Sequence, residues 1–316
     1  CSSCWWAEVQ VQMLSPQQIA ILRSALEGEN IFFTGPAGSG KSFLQQLIFT
    51  KLREKHGKNA VYCAAPTGSS AALVGGQTVH SFAGIGLARE DKVSLMKRAS
   101  CGQSGRRWAN CVSLMIDEVS MLDADLFETL EYIARCVRRS SQPFGGIQLI
   151  LCGDFFQLPP ISKSSGSQDK HRIESTRFAF ESPLWRQCIH RHFTLLGNFR
   201  QHESRFISLL GRLRIGQSTS ADFEWLCSLS KSDNSHEPPR TVQSDRTILF
   251  AVNRDVDKLN DVQLQRLPGT AVRFRAVDVG DDTRPLQHCQ APEVIDLKVG
   301  ARVMLTKNID VDSGLT

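Results

Sequence analysis

Gly35-Pro36-Ala37-Gly38-Ser39-Gly40-Lys41-Ser42 follows directly on the apolar run Ile31-Phe32-Phe33 and precedes Phe43, Leu44, Leu47, Ile48 and Leu52, which recur at helical spacing. The segment fits G-x-x-x-x-G-K-[ST] at the point where a strand turns into a helix. That is the pattern of a nucleoside triphosphate site. Its glycines let backbone N–H groups converge on phosphate oxygens, and the amides opening the next helix add partial positive charge. Lys41 is the point charge for the β- and γ-phosphates, and Ser42 offers the hydroxyl that would help hold Mg2+. Residues Gly35 to Ser42 are therefore the expected ATP-binding set.

Working outward, the chain alternates helical and strand-like segments from about Leu14, the sign of an α/β fold with a mostly parallel sheet. Expected strands are Ile31 to Thr34, Ala60 to Ala64, Val112 to Ile116 and Gln148 to Leu151. Each ends in polar or Gly-bearing residues, which puts those residues at the carboxyl edge where such sheets bind ligands. Leu126, Phe127, Leu130, Ile133, Ala134 and Val137 predict a helix between the last two. Ser100 to Arg107 and Ser162 to Lys170 read as loops. New strand-like runs are expected at Thr247 to Val252 and Ala301 to Thr306, with a domain boundary near 165 to 192.

Composition sets the frame for these motifs. The chain has 316 residues, long enough for two domains, with 41% hydrophobic and 22% charged residues and a net charge of +5. That mild excess is compatible with a polyanionic partner but does not predict one. No apolar run approaches the roughly 18 residues of a membrane span, so no membrane partner is expected. Ten scattered cysteines show no zinc-knuckle spacing beyond Cys1-x-x-Cys4, and reduced thiols are the expected state.

Leu114-Met115-Ile116-Asp117-Glu118 supplies the second half of a phosphate-loop NTPase. Asp117 would bind the Mg2+ shell and Glu118 would orient and deprotonate the attacking water. Gly153-Asp154-Phe155-Phe156-Gln157-Leu158-Pro159-Pro160 follows the next buried strand. Gln157 there can sense the γ-phosphate or position water, since an amide both donates and accepts; the alternative is a structural turn. Thr67-Gly68 and Thr78-Val79-His80-Ser81-Phe82 follow the second strand. Thr67 and Gly68 suit phosphate contacts, and His80 and Phe82 can stack on a base, although on local sequence alone a packed core pair is favoured. Lys97-Arg98, Arg106-Arg107, Arg135, Arg138-Arg139, Arg212 and Arg214 are candidates for a polyanion track or for solvated faces.

These segments, in this order, resemble the Pif-one (petite integration frequency) DNA helicases, RecD-like members of helicase superfamily one. Leu14-Ser15-Pro16-Gln17-Gln18 is similar to the family's adenine-reading glutamine motif, with Gln18 at the matching position. The resemblance runs through the phosphate loop, Thr67-Gly68, His80 to Gly86, Ile116 to Met121 and Gly153 to Pro160. Asp125-Leu126-Phe127 through Pro143 to Leu149 resembles the family's signature segment. Phe199-Arg200-Gln201, Asn253 to Asn260 and Gly300 to Asn308 extend it along nearly the whole chain after residue 13.

The resemblance implies a RecA-like ATPase domain over 14–185, with a small insertion near 83–107, and an incomplete second RecA-like domain over 192–316. Residues 1–13 stay unassigned. It implies an ATP-driven monomeric motor, using Mg2+, that moves 5′ to 3′ on single-stranded DNA and opens forked duplexes and G-quadruplexes in nucleus and mitochondrion, in telomere maintenance, DNA repair and recombination. Arg200 would reach from the second domain to the γ-phosphate. The family's small β-barrel insertion, a His-Lys-x-Gln-Gly motif and a terminal Ala-Leu-Ser-Arg motif are expected after Lys307-Asn308, where the chain reaches Thr316. A nucleotide- and DNA-binding module without productive unwinding is the alternative.

Overall fold

The computed structural model describes residues 14–86, 88, 90–160, 177–231, 248–277 and 292–304. The chain forms two compact units, Cys1–Ser230 and Lys231–Thr316. In the first, six strands make one sheet: β1 (Ile31–Thr34), β2 (Val61–Ala65), β3 (Gln77–Thr78), β4 (Ser113–Ile116), β5 (Gln148–Cys152) and β6 (Arg191–Thr194). Their order is β3-β2-β4-β5-β1-β6, and every pairing is parallel.

The apolar runs are continuous because both faces of the sheet are covered. Ile31, Phe33, Val61, Cys63, Met115, Ile150 and Cys152 face a core closed by Ile21, Leu44, Ile48 and Leu52 from the helices Pro16–Leu26 and Lys41–His56. Phe32, Ala64, Leu114, Ile116, Leu149 and Leu151 face the opposite core, with Phe82, Trp108, Phe127, Phe144 and Trp185. Each fully buried Leu, Ile or Phe contributes about 1.5–3 kcal/mol relative to exposure. Burial on both faces therefore fixes the register, and with it the carboxyl ends that carry the motifs.

Four expected strands and the helix at 126–137 occur where the patterning put them, within a residue or two; the helix runs Ala124–Arg138. Four features differ. Phe43 is 43% exposed, so the buried stripe of its helix is Leu44, Leu47, Ile48 and Leu52. Gly102–Asn110 is a helix, not the end of a loop. Gly105 is there for close packing rather than a turn, since a Cβ would lie 2.2 Å from the Ser100 carbonyl oxygen. That packing seats Trp108, whose ring meets Phe82 at 4.8 Å and whose indole N–H donates to the Ala83 carbonyl at 3.2 Å.

Residues 248–252 and 301–304 carry no strand. The second unit instead has the helix Asn253–Arg266 and an antiparallel pair, β7 (Val272–Arg275) and β8 (Val294–Leu297), tied by Arg273 to Asp296 at 2.8 and 2.9 Å. The boundary also moves. β6 lies beyond residue 185 yet pairs with β1, and the first unit extends to Ser230. The expected loop Ser162 to Lys170 lies outside the described residues. No described helix is long and apolar enough to cross a membrane.

Arg138 holds the signature segment together. Its Nε donates to the Gly145 carbonyl at 2.8 Å, and one terminal nitrogen lies within 2.8–3.1 Å of the carbonyls of Trp108, Ala109 and Cys111. The turn it grips is left-handed at Phe144 (φ 49°) and Gly145 (φ 60°), which lets the Phe144 ring drop into the core against Phe127 at 5.3 Å. Replacing Arg138 by Met leaves these carbonyls short of a donor. We expect a loss of about 2–4 kcal/mol in urea unfolding, with Arg138→Lys recovering only part because an ammonium cannot fork. A loss under about 0.5 kcal/mol, the range of ordinary surface changes, would contradict this role.

The described cysteines are free thiols. Burial pushes Cys63, Cys111 and Cys188 up to about 12, and Cys152 upward as well. Among the described cysteines, alkylation of the native protein at pH 8 should therefore modify exposed Cys101 and Cys227 first, as mass mapping would show. Early modification of Cys63 or Cys111 would contradict the packing.

Candidate nucleotide site

β1 ends at Thr34, and the chain turns through Gly38 and Gly40, both at φ +83°, before the helix opens at Lys41. These glycines are required twice over. Backbone at φ +83° disfavours a side chain, and the loop is closely covered by neighbours. A Cβ at Gly38 would lie 2.8 Å from Asn198 Oδ1, and one at Gly40 would lie 2.8 Å from Gln18 Nε2. The covering segment is the exit from β6: Leu195 N–H donates to the Thr34 carbonyl at 2.8 Å and Phe199 N–H to the Gly38 carbonyl at 2.7 Å. Lys41 Nζ is folded over the loop, donating to the carbonyls of Gly35 (2.8 Å) and Pro36 (3.2 Å). Ser42 is exposed on the first helical turn, and Ser39 Oγ is buried without a hydrogen-bond partner.

Gln18 is buried, and its placement follows from the helix it begins. Ser15 N–H donates to Gln18 Oε1 at 2.9 Å and Gln18 N–H to Ser15 Oγ at 3.3 Å, a reciprocal cap with Pro16 in the first turn. The cap turns the amide nitrogen toward Gly40.

The acidic pair sits at the end of β4. Asp117 is 9% exposed, and its carboxylate accepts from the Glu118 N–H at 2.9 Å and from the Cys152 thiol. The Gln45 amide, oriented by its hydrogen-bond network, donates to both carboxylate oxygens at 3.2 Å. Burial pushes the Asp117 carboxyl up, and the Glu118 N–H, the Cys152 thiol and the Lys41 charge oppose it without cancelling it. Glu118 is half-buried in the left-handed region (φ 49°, ψ 43°), a conformation costing roughly 1–2 kcal/mol for a residue with a Cβ. That turn lets two consecutive acids serve one site. Burial and the neighbouring Asp117 raise Glu118, Lys41 lowers it, and Asp154 raises it further. The phosphate loop leaves β1 and the acidic pair leaves β4, and β5 alone separates these strands in the parallel sheet, so both segments stand at one edge. A hydroxyl on Ser42 and a carboxylate on Asp117 are hard oxygen donors suited to Mg2+.

Gln157 is exposed, and its Nε2 donates to Asp154 Oδ2 at 3.1 Å. Asp154 is itself 1% exposed and forked by Arg214, at 2.8 and 2.7 Å. Arg200 is exposed, with its Cβ 2.9 Å from where a Gly38 Cβ would stand. It therefore belongs to the unit that carries the phosphate loop, not to a separate second domain.

Among the DNA candidates, Thr67 caps the helix Gly68–Leu73 through Ser70 N–H (3.2 Å), and Gly68 is exposed with open space around it. His80 is half-buried. Phe82 is fully buried between Tyr62 and Trp108, so it has no face to offer a base. The basic track also thins. Arg98 pairs with Glu90, Arg135 with Glu131, Arg212 with Asp222 and Arg214 with Asp154, while Arg107 donates to the Ser81 carbonyl and Arg138 to the carbonyls above. Lys97, Arg106 and Arg139 stay exposed. Gln45, Cys152 and Arg214 escaped the sequence reading as parts of the site. Asp154 stood inside a quoted motif, but nothing local points from it to Arg214.

Comparison with known proteins follows the same lines. The model of the PIF1-like helicase family matches residues 13–222, and that of the 2B domain of DNA helicase Pif1 matches residues 286–316. The second match falls within the stretch expected from sequence to be an incomplete second RecA-like domain, and it begins before Lys307-Asn308. The ATP-dependent DNA helicase PIF1 of Danio rerio is 42% identical over 309 residues, and that of Homo sapiens 40% over 304; each alignment covers 96% of this chain and 45% of the relative. The chain thus spans under half the length of these relatives.

The crystal structure of Pif1 helicase from Candida albicans superimposes with a TM-score of 0.82 at 38% identity, covering 94% of this chain and 66% of that one. Bacteroides Pif1 in complex with ADP-AlF3 and single-stranded DNA gives 0.70 at 27%, covering 92% and 65%. The six-stranded parallel sheet is accordingly RecA-like. A family match over two-thirds of its residues and 40–42% identity along nearly all its length show that this chain belongs to the PIF1-like helicases.

Proposed function

We propose that this chain is the ATP-hydrolysing part of a DNA helicase that moves 5′ to 3′ on single-stranded DNA and opens forked duplexes. The observation that carries the reading is the parallel sheet edge at which the phosphate loop leaves β1 and the Asp117–Glu118 pair leaves β4, with β5 between them. Relatives named ATP-dependent DNA helicases, and neighbours solved with ADP-AlF3 and single-stranded DNA, support it.

In this reading Lys41 leaves the Gly35 and Pro36 carbonyls to bind the β- and γ-phosphates, and the loop amides take the remaining oxygens. Glu118 orients the attacking water and accepts its proton. Ser42 and Asp117 would hold Mg2+, which when bound neutralises charge between the β- and γ-phosphates. Arg200, beside Gly38, offers a guanidinium to charge developing on the transferred group, an effect worth about three to five decades in rate for such arginines. Gln157 contacts the γ-phosphate or the water, and Gln18 reads the base.

Thr67, Gly68 and His80 are the proposed strand contacts, with Phe82 supporting them from the core. Action on G-quadruplexes, roles in telomere maintenance, repair and recombination, a monomeric state and residence in nucleus and mitochondrion belong to the same reading and rest on the family resemblance.

Two results test it. Glu118→Gln should leave ATP binding largely intact and slow single-turnover hydrolysis by at least about two decades, the usual loss of a general base, whereas Lys41→Ala should weaken both. Single-stranded DNA should stimulate the parent, and its affinity should fall with salt at a log–log slope of about −0.7 per neutralised phosphate. Parent-like activity of either variant, or a flat salt response, would overturn the assignment. DNA and nucleotide binding without stimulated hydrolysis would favour the binding-module reading instead.

A further inference from the structure

The helix Ser204–Arg214 ends on a side chain that reaches back across the sheet edge. Arg214 Nε donates to Asp154 Oδ2 at 2.8 Å and a terminal nitrogen donates to Oδ1 at 2.7 Å, a two-point fork. Its guanidinium also lies 4.5 Å from the Phe156 ring centre. The carboxylate it grips is 1% exposed, in the first turn after β5. The remaining lone pairs of Asp154 are spent locally: Phe156 N–H donates to Oδ1 at 3.2 Å and Gln157 Nε2 to Oδ2 at 3.1 Å. One buried carboxylate therefore joins the last residue of a helix to the side chain of Gln157.

Gln157 is otherwise exposed, and an exposed glutamine samples several rotamers, at a cost of up to about 1.5–2 kcal/mol when it is fixed. The bond to Asp154 pins one amide hydrogen. Because the amide is planar, its oxygen and second hydrogen are then directed away from Asp154. The carboxylate can pin it only if its own orientation is fixed, and the guanidinium fork fixes both oxygens at once.

We infer that Arg214 is a positioning residue for Gln157, acting through Asp154, so that the helix Ser204–Arg214 sets the orientation in which the glutamine amide meets the γ-phosphate or its attacking water. The inference rests on the proposed role of Gln157. It differs from simple anchoring of the helix, which would stabilise the fold without any preference for Gln157. An ammonium supplies charge but no fork, so Arg214→Lys keeps Asp154 neutralised while releasing its second oxygen.

A double-mutant cycle in the full chain separates the two roles. Arg214→Lys should lower kcat for DNA-stimulated ATP hydrolysis by about tenfold, as loss of one positioning contact does, with KM for ATP changed less than about twofold. Gln157→Ala should show a similar split. The double variant should be no slower than Gln157→Ala alone, because the lysine acts only through an amide already removed. If the two losses multiply, Arg214 does not act through Gln157 and the inference falls while the role of Gln157 stands. If Gln157→Ala leaves kcat unchanged, the role of Gln157 falls first and the inference falls with it.

A readout independent of turnover is the side-chain amide resonance of Gln157 in 15N-labelled protein. In Arg214→Lys it should move toward the position and mobility of a free glutamine amide, with the backbone resonances of β5 unshifted. An unaltered Gln157 resonance would overturn the inference whatever the kinetics.

Discussion

The site depends on keeping one carboxylate charged in a place that resists charge. Asp117 lies at the end of a fully buried strand, with the apolar runs of β2 and β5 paired on either side. Burying an isolated carboxylate is costly, and an unpaired one would protonate instead. Here the Glu118 N–H, the Cys152 thiol and the nearby Lys41 charge oppose that cost, and the Gln45 amide donates to both oxygens. Gln45 and Lys41 share the helix after β1, Glu118 follows β4 and Cys152 ends β5, so the parallel order of the sheet is what assembles them. The residual upward shift leaves Asp117 favouring a further cation beside it, the condition a divalent ion bound with phosphate would meet.

The same economy appears around it. Glu118 takes a left-handed backbone to stand beside Asp117, and a Cβ on Gly153 would lie 2.8 Å from the Val119 nitrogen, so the β5 exit packs directly against that turn. The β6 exit crowds Gly38 and the Gln18 amide crowds Gly40, and both glycines stand at φ +83°, where a side chain is disfavoured. Such features are not confined to this edge: Phe144 (φ 49°) precedes β5, and a Cβ on Gly105 would lie 2.2 Å from the Ser100 carbonyl oxygen. At the carboxyl edge, though, they stand beside the proposed site.

Much of this was legible in the chain itself. Ile31 to Thr34 followed by the glycine loop announces its strand and site because the local pattern and the tertiary role agree. Leu114 to Glu118 is legible for the same reason. What stayed hidden depends on contacts between distant residues. Gly105 looks like a loop marker and is a packing glycine. Phe82 looks like a stacking ring and is core, although its apolar neighbours favoured that alternative from the start. Arg212 and Arg214 look like a solvent-facing basic pair, yet Asp222 and Asp154 take both, the second from 60 residues away. The boundary was drawn too early because β6 joins a sheet whose other strands all lie before residue 153.

In the proposed function, the glycine loop and the acidic pair form one site for the terminal phosphate of ATP. A crystal structure of this chain with Mg2+, ADP and aluminium fluoride tests it most directly. The fluoride group should lie between the Lys41 ammonium and the Glu118 carboxylate, with the ion on the Asp117 side and Lys41 released from the carbonyls of Gly35 and Pro36. Nucleotide bound elsewhere, or bound in the loop with Lys41 still on those carbonyls and Glu118 turned away, would contradict it.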